Sequence, residues 1–202
     1  MFDVLEQPFR CRTKDTLRFQ EMRVAIEQVA AGNTMDDIEK LSENENLFSA
    51  ASKSRAREIF LIIKRRLAKV DIDFFTFFLS QPVEMQKILS LTTVMMEDRS
   101  FYTFMDEVYK EKLINGENTL YKDDLIAFIH TIQSSDDKAS GWTDAGIKKM
   151  RDNFKSMLRE AGLISSTGND RQILKPILTG ETENYLDSHG LTPIKKIFTG
   201  ER

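Results

Sequence analysis

Apolar residues recur along this chain every three or four positions, the period of a helix with one buried side. Met22, Ala25, Ile26, Val29 and Ala30 predict a first helix, and Gly32 is placed to end it. Thr34 can cap a second helix, with Asp37 three residues on as its capping-box partner. A third runs from Ser52 or Ser54 to about Val70, with Ala56, Ile59, Phe60, Ile63 and Leu67 on its inner side. Three short helices with a Gly-Asn-Thr turn between the first two predict a helix-turn-helix-like unit.

The middle of the chain is its least polar part. Phe74, Phe75, Phe77 and Phe78 cluster, and Pro82 opens a helix at a position where proline is tolerated. Met85, Ile88, Leu89, Leu91, Val94, Met95 and Met96 leave that helix apolar on most sides, so it belongs inside. The phenylalanines are expected in the core and not as a stacking surface for bases. Further helices are expected at 100–114 and 123–133, then a polar loop over 134–141.

Thr143 caps a last long helix, which Gly162 terminates, with Ile147, Met150, Phe154, Met157, Leu158 and Ala161 lining one side. After it the period shortens. Residues 163–166 and 171–175 predict two strands around Thr167-Gly168-Asn169-Asp170, with Arg171 and Lys175 on the resulting wing. One or two short helices end the chain, at 181–188 and 193–198. The fold class expected is mainly α. It has a helix-turn-helix-like N-terminal unit, central buried helices, and a C-terminal winged-helix-like unit with a short β-hairpin. The division expected is 1–80 and 81–202, or one compact domain.

Composition changes this picture little; charge changes it more. The 202 residues carry 29 Lys and Arg against 32 Asp and Glu, a formal net charge of -3. Such a chain meets a polyanion only if its cations are sorted onto one surface. Two helices show that sorting. Lys53, Arg55, Arg57, Lys64, Arg65, Arg66 and Lys69 flank the third helix with only Glu58 opposing. Lys148, Arg151, Lys155 and Arg159 follow at steps of three, four and four along the last long helix.

Catalytic and metal-binding patterns are missing. Nothing matches GxGxxG, GxxxxGK[ST], GxSxG, HExxH or CxxC. One cysteine, Cys11, and two histidines, His130 and His189, are too few for a structural zinc site. His130 sits between apolar neighbours and reads as a partly buried packing residue. Asp123-Asp124 and Asp136-Asp137 read as helix caps. The chain is therefore expected to be no enzyme and to need no cofactor or metal. A lone cysteine, no leader and no run of ~18 apolar residues predict a cytoplasmic protein without a membrane partner.

Dispersed motifs carry a family resemblance. Met35-Asp36-Asp37-Ile38-Glu39, Asn46-Leu47-Phe48, Ala51 to Arg55 and Asp98 to Met105 resemble the BrxA family of BREX (bacteriophage exclusion) defence islands. So do Gly141-Trp142-Thr143, Ile147 to Met150 and Leu158 to Ile164. The similarity runs from about residue 17 to 199. It implies a mainly helical, non-enzymatic DNA-binding accessory with other BREX components as partners. It also implies likeness to NusB-like antitermination proteins and helix-turn-helix elements. It carries over no site residues.

Charge geometry alone names the candidates for duplex DNA: Lys53, Arg55, Arg57, Lys64 and Arg66 on one surface, and Lys148, Arg151, Lys155, Arg159 and Lys175 on another. Backbone contacts of this kind predict weak sequence preference and steep salt dependence. Two other readings use the same residues. In one, the chain is a protein adaptor whose acidic helix, Asp36 to Glu45, and basic stripes dock other BREX subunits. In the other, it is an RNA binder.

Overall fold

Capping chemistry sets most helix boundaries. Thr34 accepts the Asp37 backbone N–H through its hydroxyl, while the Asp37 carboxylate accepts the Thr34 N–H, so both ends of the expected capping box close over α2 (Met35–Asn44). Ser52, Asp71, Thr143 and Thr179 each accept a backbone N–H three residues on, opening α3 (Lys53–Leu67), α4 (Ile72–Ser80), α9 (Asp144–Glu160) and α10 (Gly180–Ser188). Preceding these, α1 (Phe19–Ala30) is followed by Gly32 at φ +94°, a left-handed turn open to glycine.

The computed structural model describes residues 3–202 and forms two compact units. One is Leu17–Thr93. Here α1, α2 and α3 bury Phe19, Met22, Ala25, Ile26, Ile38, Ala56, Ile59, Phe60 and Ile63. The buried Ser42 hydroxyl donates to the Ala56 carbonyl and ties α2 to α3. The phenylalanine cluster is itself a helix, α4, with Phe74 and Phe78 buried at a ring separation of 5.7 Å. α5 (Val83–Glu97) is buried on most sides, as its apolar circumference predicts, and the first unit ends at Thr93 within it.

The other unit joins residues 3–16 to 94–202. Asp98 caps α6 (Arg99–Phe104), a π-helical stretch follows over Met105–Lys110, and α7 (Glu111–Ile114) completes one continuous rod. Phe101, Phe104, Phe128 and Phe154 interlock at ring separations of 5.0 to 5.5 Å and knit this rod to α8 (Lys122–Ser135) and α9. The N-terminal segment lies along the same core. Ser100 Oγ accepts the Arg10 N–H and donates to its carbonyl, and Asn153 donates to the Arg12 carbonyl. α10 and α11 (Thr192–Thr199) close the unit.

The expected hairpin is present and has a third member. Ile164 bridges Ile173, the Ser165 N–H donates to the Gln172 carbonyl, and the Leu174 N–H donates to that of Leu163. Beyond it, β1 (Thr119–Leu120) pairs antiparallel with β2 (Arg171–Gln172), Leu120 opposite Arg171. β2 is thus the middle of three short extended segments. The order is helix, β1, α8, α9, the 163–165 segment, a turn, and β2.

Candidate nucleic-acid interface

The two basic stripes have different surroundings. α3 presents one edge to the acidic α2. Arg57 Nε lies 3.9 Å from Glu43, and Lys64 Nζ lies 4.0 Å from both Asp36 and Glu39. Arg55 pairs with Glu58 one turn on. The surplus carboxylates of α2 and the surplus cations of α3 therefore answer one another inside a single unit. Among the candidates on this helix, Lys53 is exposed and makes no ion pair among the described residues.

Arg66 corrects the sequence expectation. It is 0% exposed, and its Nη1 donates to the Leu17 carbonyl at 2.6 Å. At about 100° per residue it falls toward α1, and a buried guanidinium is stable only where backbone or carboxylate oxygens receive it. No phosphate reaches it. His130 is a second correction: it is exposed, its Nδ1 3.1 Å from Gln133 Oε1 on the same helix.

α9 is anchored through Met150, Asn153, Phe154, Met157 and Leu158. Lys148 and Arg159 lie on the opposite face and Lys149 on its flank, all exposed and without ion pairs among the described residues. Lys175, in the segment after β2, is exposed and likewise without an ion pair among the described residues. Arg151 is mostly covered and leans on its neighbour Asp152, Nη2 to Oδ1 at 2.9 Å. Lys155 Nζ donates to the Asn169 carbonyl at 3.3 Å, fastening the 166–170 turn to the helix. Burial pushes the Lys155 ammonium below the ordinary lysine range, and the positive charges of Arg151 and Arg171 push it the same way; Asp152 and Asp170 oppose them.

That turn is also tied elsewhere. Asp170 Oδ1 accepts the Lys122 backbone N–H at the start of α8, at 3.1 Å, and Arg171 Nη1 donates to the Ser165 carbonyl at 3.2 Å. Gly168 sits at φ +93° with no room for a side chain: a Cβ there would stand 2.8 Å from the Asp170 carbonyl oxygen. The turn, α9 and the start of α8 thus form one braced surface. The sequence pattern places Arg171 on the wing without marking it as a phosphate contact, and it gives no signal at Lys122. The strand β1, which sets the position of Lys122, is two residues long and has no period to read.

Other polar groups are committed to structure. A cleft of about 320 Å³ beside the π-helical stretch is lined by Glu107, Glu111, Lys112, Asn115, Glu117 and Asp124. Its lysine is held by Glu117 at 2.8 Å and Asp124 at 3.0 Å, which keep it charged despite burial. A second cluster gathers Asp15, Glu97 and Asp98 around Arg12. Burial first, and then the negative charges of Glu97 and Asp15, push the Asp98 carboxyl up to about 6 against the pull of Arg12. Among the described residues, no group of His, Cys, Asp and Glu could hold a metal ion, and no helix is long and apolar enough to cross a membrane.

Comparison with known proteins agrees along almost the whole chain. A family model described as BrxA matches residues 12–190. A protein of Bacillus cereus (strain H3081.97), described as BREX protein BrxA, is 28% identical over 199 residues, covering 98% of this chain and 100% of the relative. The crystal structure of an uncharacterized protein from Magnetospirillum magneticum aligns with a TM-score of 0.79 at 15% identity, covering 95% of this chain and 98% of that one. The last likeness is one of fold.

Proposed function

The chain belongs to the BrxA family, and from that premise we propose that it serves BREX phage defence as a non-enzymatic component that binds duplex DNA through α9 and the adjoining 166–170 turn. One observation carries the reading: Lys148, Lys149 and Arg159 lie exposed on the side of α9 away from its core anchor or on its flank, and none has an ion-pair partner among the described residues. A cationic helix face flanked by a braced turn suits backbone phosphates. The helix enters or spans a groove while the turn follows the neighbouring strand. The order of helices and short strands in this unit is that of a winged-helix-like module, which supports the same placement.

The α3 surface is a weaker contributor than its sequence promised. Arg55, Arg57 and Lys64 already face carboxylates, Arg66 is buried against a backbone carbonyl, and exposed pairs of this kind must be broken before phosphates replace them. Binding therefore rests on Lys148, Lys149, Arg151, Lys155, Arg159 and Lys175, with Lys53 as an outlying contact. Contacts to backbone dominate, so sequence preference is weak and salt dependence steep. A gel shift with a random duplex at low salt tests this. Retarded complexes that dissolve as salt rises are expected; no complex at low salt ends the proposal.

An adaptor role keeps one structural argument. Ile177 is 90% exposed, and Leu174 nearby is 40% exposed. Apolar side chains standing free beside a module are what a protein partner would cover. Co-purification with the other BREX components, and its loss in Ile177→Asp, tests that reading separately. Preference for folded RNA over duplex in competition would move the assignment to RNA.

A further inference from the structure

Three cations in the α9 unit converge from two elements. Arg151 and Lys155 stand one turn apart on α9, and Lys155 reaches across to the Asn169 carbonyl at 3.3 Å, two residues before Arg171. Arg171 spends Nη1 on the Ser165 carbonyl, and its Nε is buried without a hydrogen-bond partner. Burial, and after it the positive charges of Arg151 and Arg171, disfavour the Lys155 ammonium. The carboxylates felt there, Asp152 and Asp170, are both partly engaged: Asp152 by Arg151, Asp170 by the Lys122 N–H. An arriving dianion or phosphodiester would relieve the repulsion at once, which is the mark of a site that waits for an anion.

We propose that Arg151, Lys155 and Arg171 form one phosphate seat, in which helix α9 and strand β2 hold the same backbone phosphate of the nucleic acid. The proposal rests on the DNA-binding reading above and adds to it a further binding residue, Arg171. It also sets the geometry: helix and turn clamp one strand at a shared point instead of touching separate phosphates. On engagement Lys155 exchanges the Asn169 carbonyl for a phosphate oxygen, so the turn is fastened through the ligand.

A double-mutant cycle tests it, with affinity for a labelled random duplex read by fluorescence anisotropy at about 0.1 M salt. Arg171→Gln and Lys155→Gln should each weaken binding about tenfold, the effect of one lost phosphate contact at that salt. Because the two share one phosphate, the double variant should fall well short of the hundredfold product. Arg171→Lys keeps the charge but loses the guanidinium's hydrogen bond to the Ser165 carbonyl. It should retain affinity within about threefold of wild type, which a purely structural role would not allow. Unchanged binding by Arg171→Gln, a hundredfold loss in the double variant, or equal loss in Arg171→Lys and Arg171→Gln overturns the seat while leaving DNA binding intact. Failure of the wild type to bind any duplex overturns both.

Discussion

Arg66 donates from Nη1 to the backbone carbonyl of Leu17 at 2.6 Å, from the inside of the 17–93 unit, with no exposed surface of its own. A long cationic side chain thus acts as a strut between the chain entering α1 and the last turn of α3. Arg66→Ala leaves a buried carbonyl unsatisfied and a void beside it, at a cost of about 2–4 kcal/mol. Urea unfolding should show the loss. Duplex affinity of the folded fraction should stay within about twofold of wild type.

The neighbouring cations of α3 behave differently. Lys53→Gln with Arg57→Gln should weaken duplex binding less than about fivefold, since Arg57 already faces Glu43 and only Lys53 gives up an unpaired charge. Anisotropy titrations at fixed low salt measure it. A loss as large as that from α9 would restore α3 as a principal surface.

The fold was largely legible because its signals are local. Thr34, Asp37, Ser52, Thr143 and Gly162 mark helix ends within one turn of themselves. The apolar circumference of α5 announces burial without reference to any partner. What the chain concealed is long-range. β1 is two residues whose pairing with β2 depends on a segment some fifty positions later. The fate of Arg57, Lys64 and Arg66 depends on Glu43, Asp36, Glu39 and Leu17 standing opposite them, and periodicity within α3 cannot show that. On α9 the exposure of Lys148, Lys149 and Arg159 follows from the helical period alone, since no acidic helix supplies them an ion-pair partner among the described residues.

Asp98 makes stability depend on pH in an unusual direction. Burial pushes its carboxyl up to about 6, well above the ordinary carboxylate range, so the folded chain holds that proton more tightly than the unfolded one. The stability it contributes is complete below about pH 4 and is lost as pH rises through 6. Asp98→Asn keeps an oxygen for the Ser100 and Phe101 N–H groups and removes the titration. Wild type should lose about 2–3 kcal/mol relative to Asp98→Asn between pH 4 and pH 7. Paired denaturation curves at several pH values check the sign; a parallel pH dependence of the two proteins contradicts it.

Gly168 tests the bracing of the turn. Its φ of +93° and the 2.8 Å approach of the Asp170 carbonyl to a Cβ mean that Gly168→Ala must open the 166–170 segment. The Lys155–Asn169 and Lys122–Asp170 contacts should loosen, and duplex affinity should fall about three- to tenfold while the global unfolding midpoint barely moves. Amide exchange at Lys122, read beside the affinity, separates local opening from general destabilisation.

The most direct measurement is the salt dependence of duplex affinity for wild type and for Lys148→Glu/Lys149→Glu/Arg159→Glu, three changes on solvated positions. Wild type should lose affinity linearly in logarithmic salt with a slope corresponding to roughly four to six phosphates, and the triple variant should bind on the order of a hundredfold more weakly with a visibly shallower slope. Equal affinity and equal slope in a folded triple variant would contradict the account.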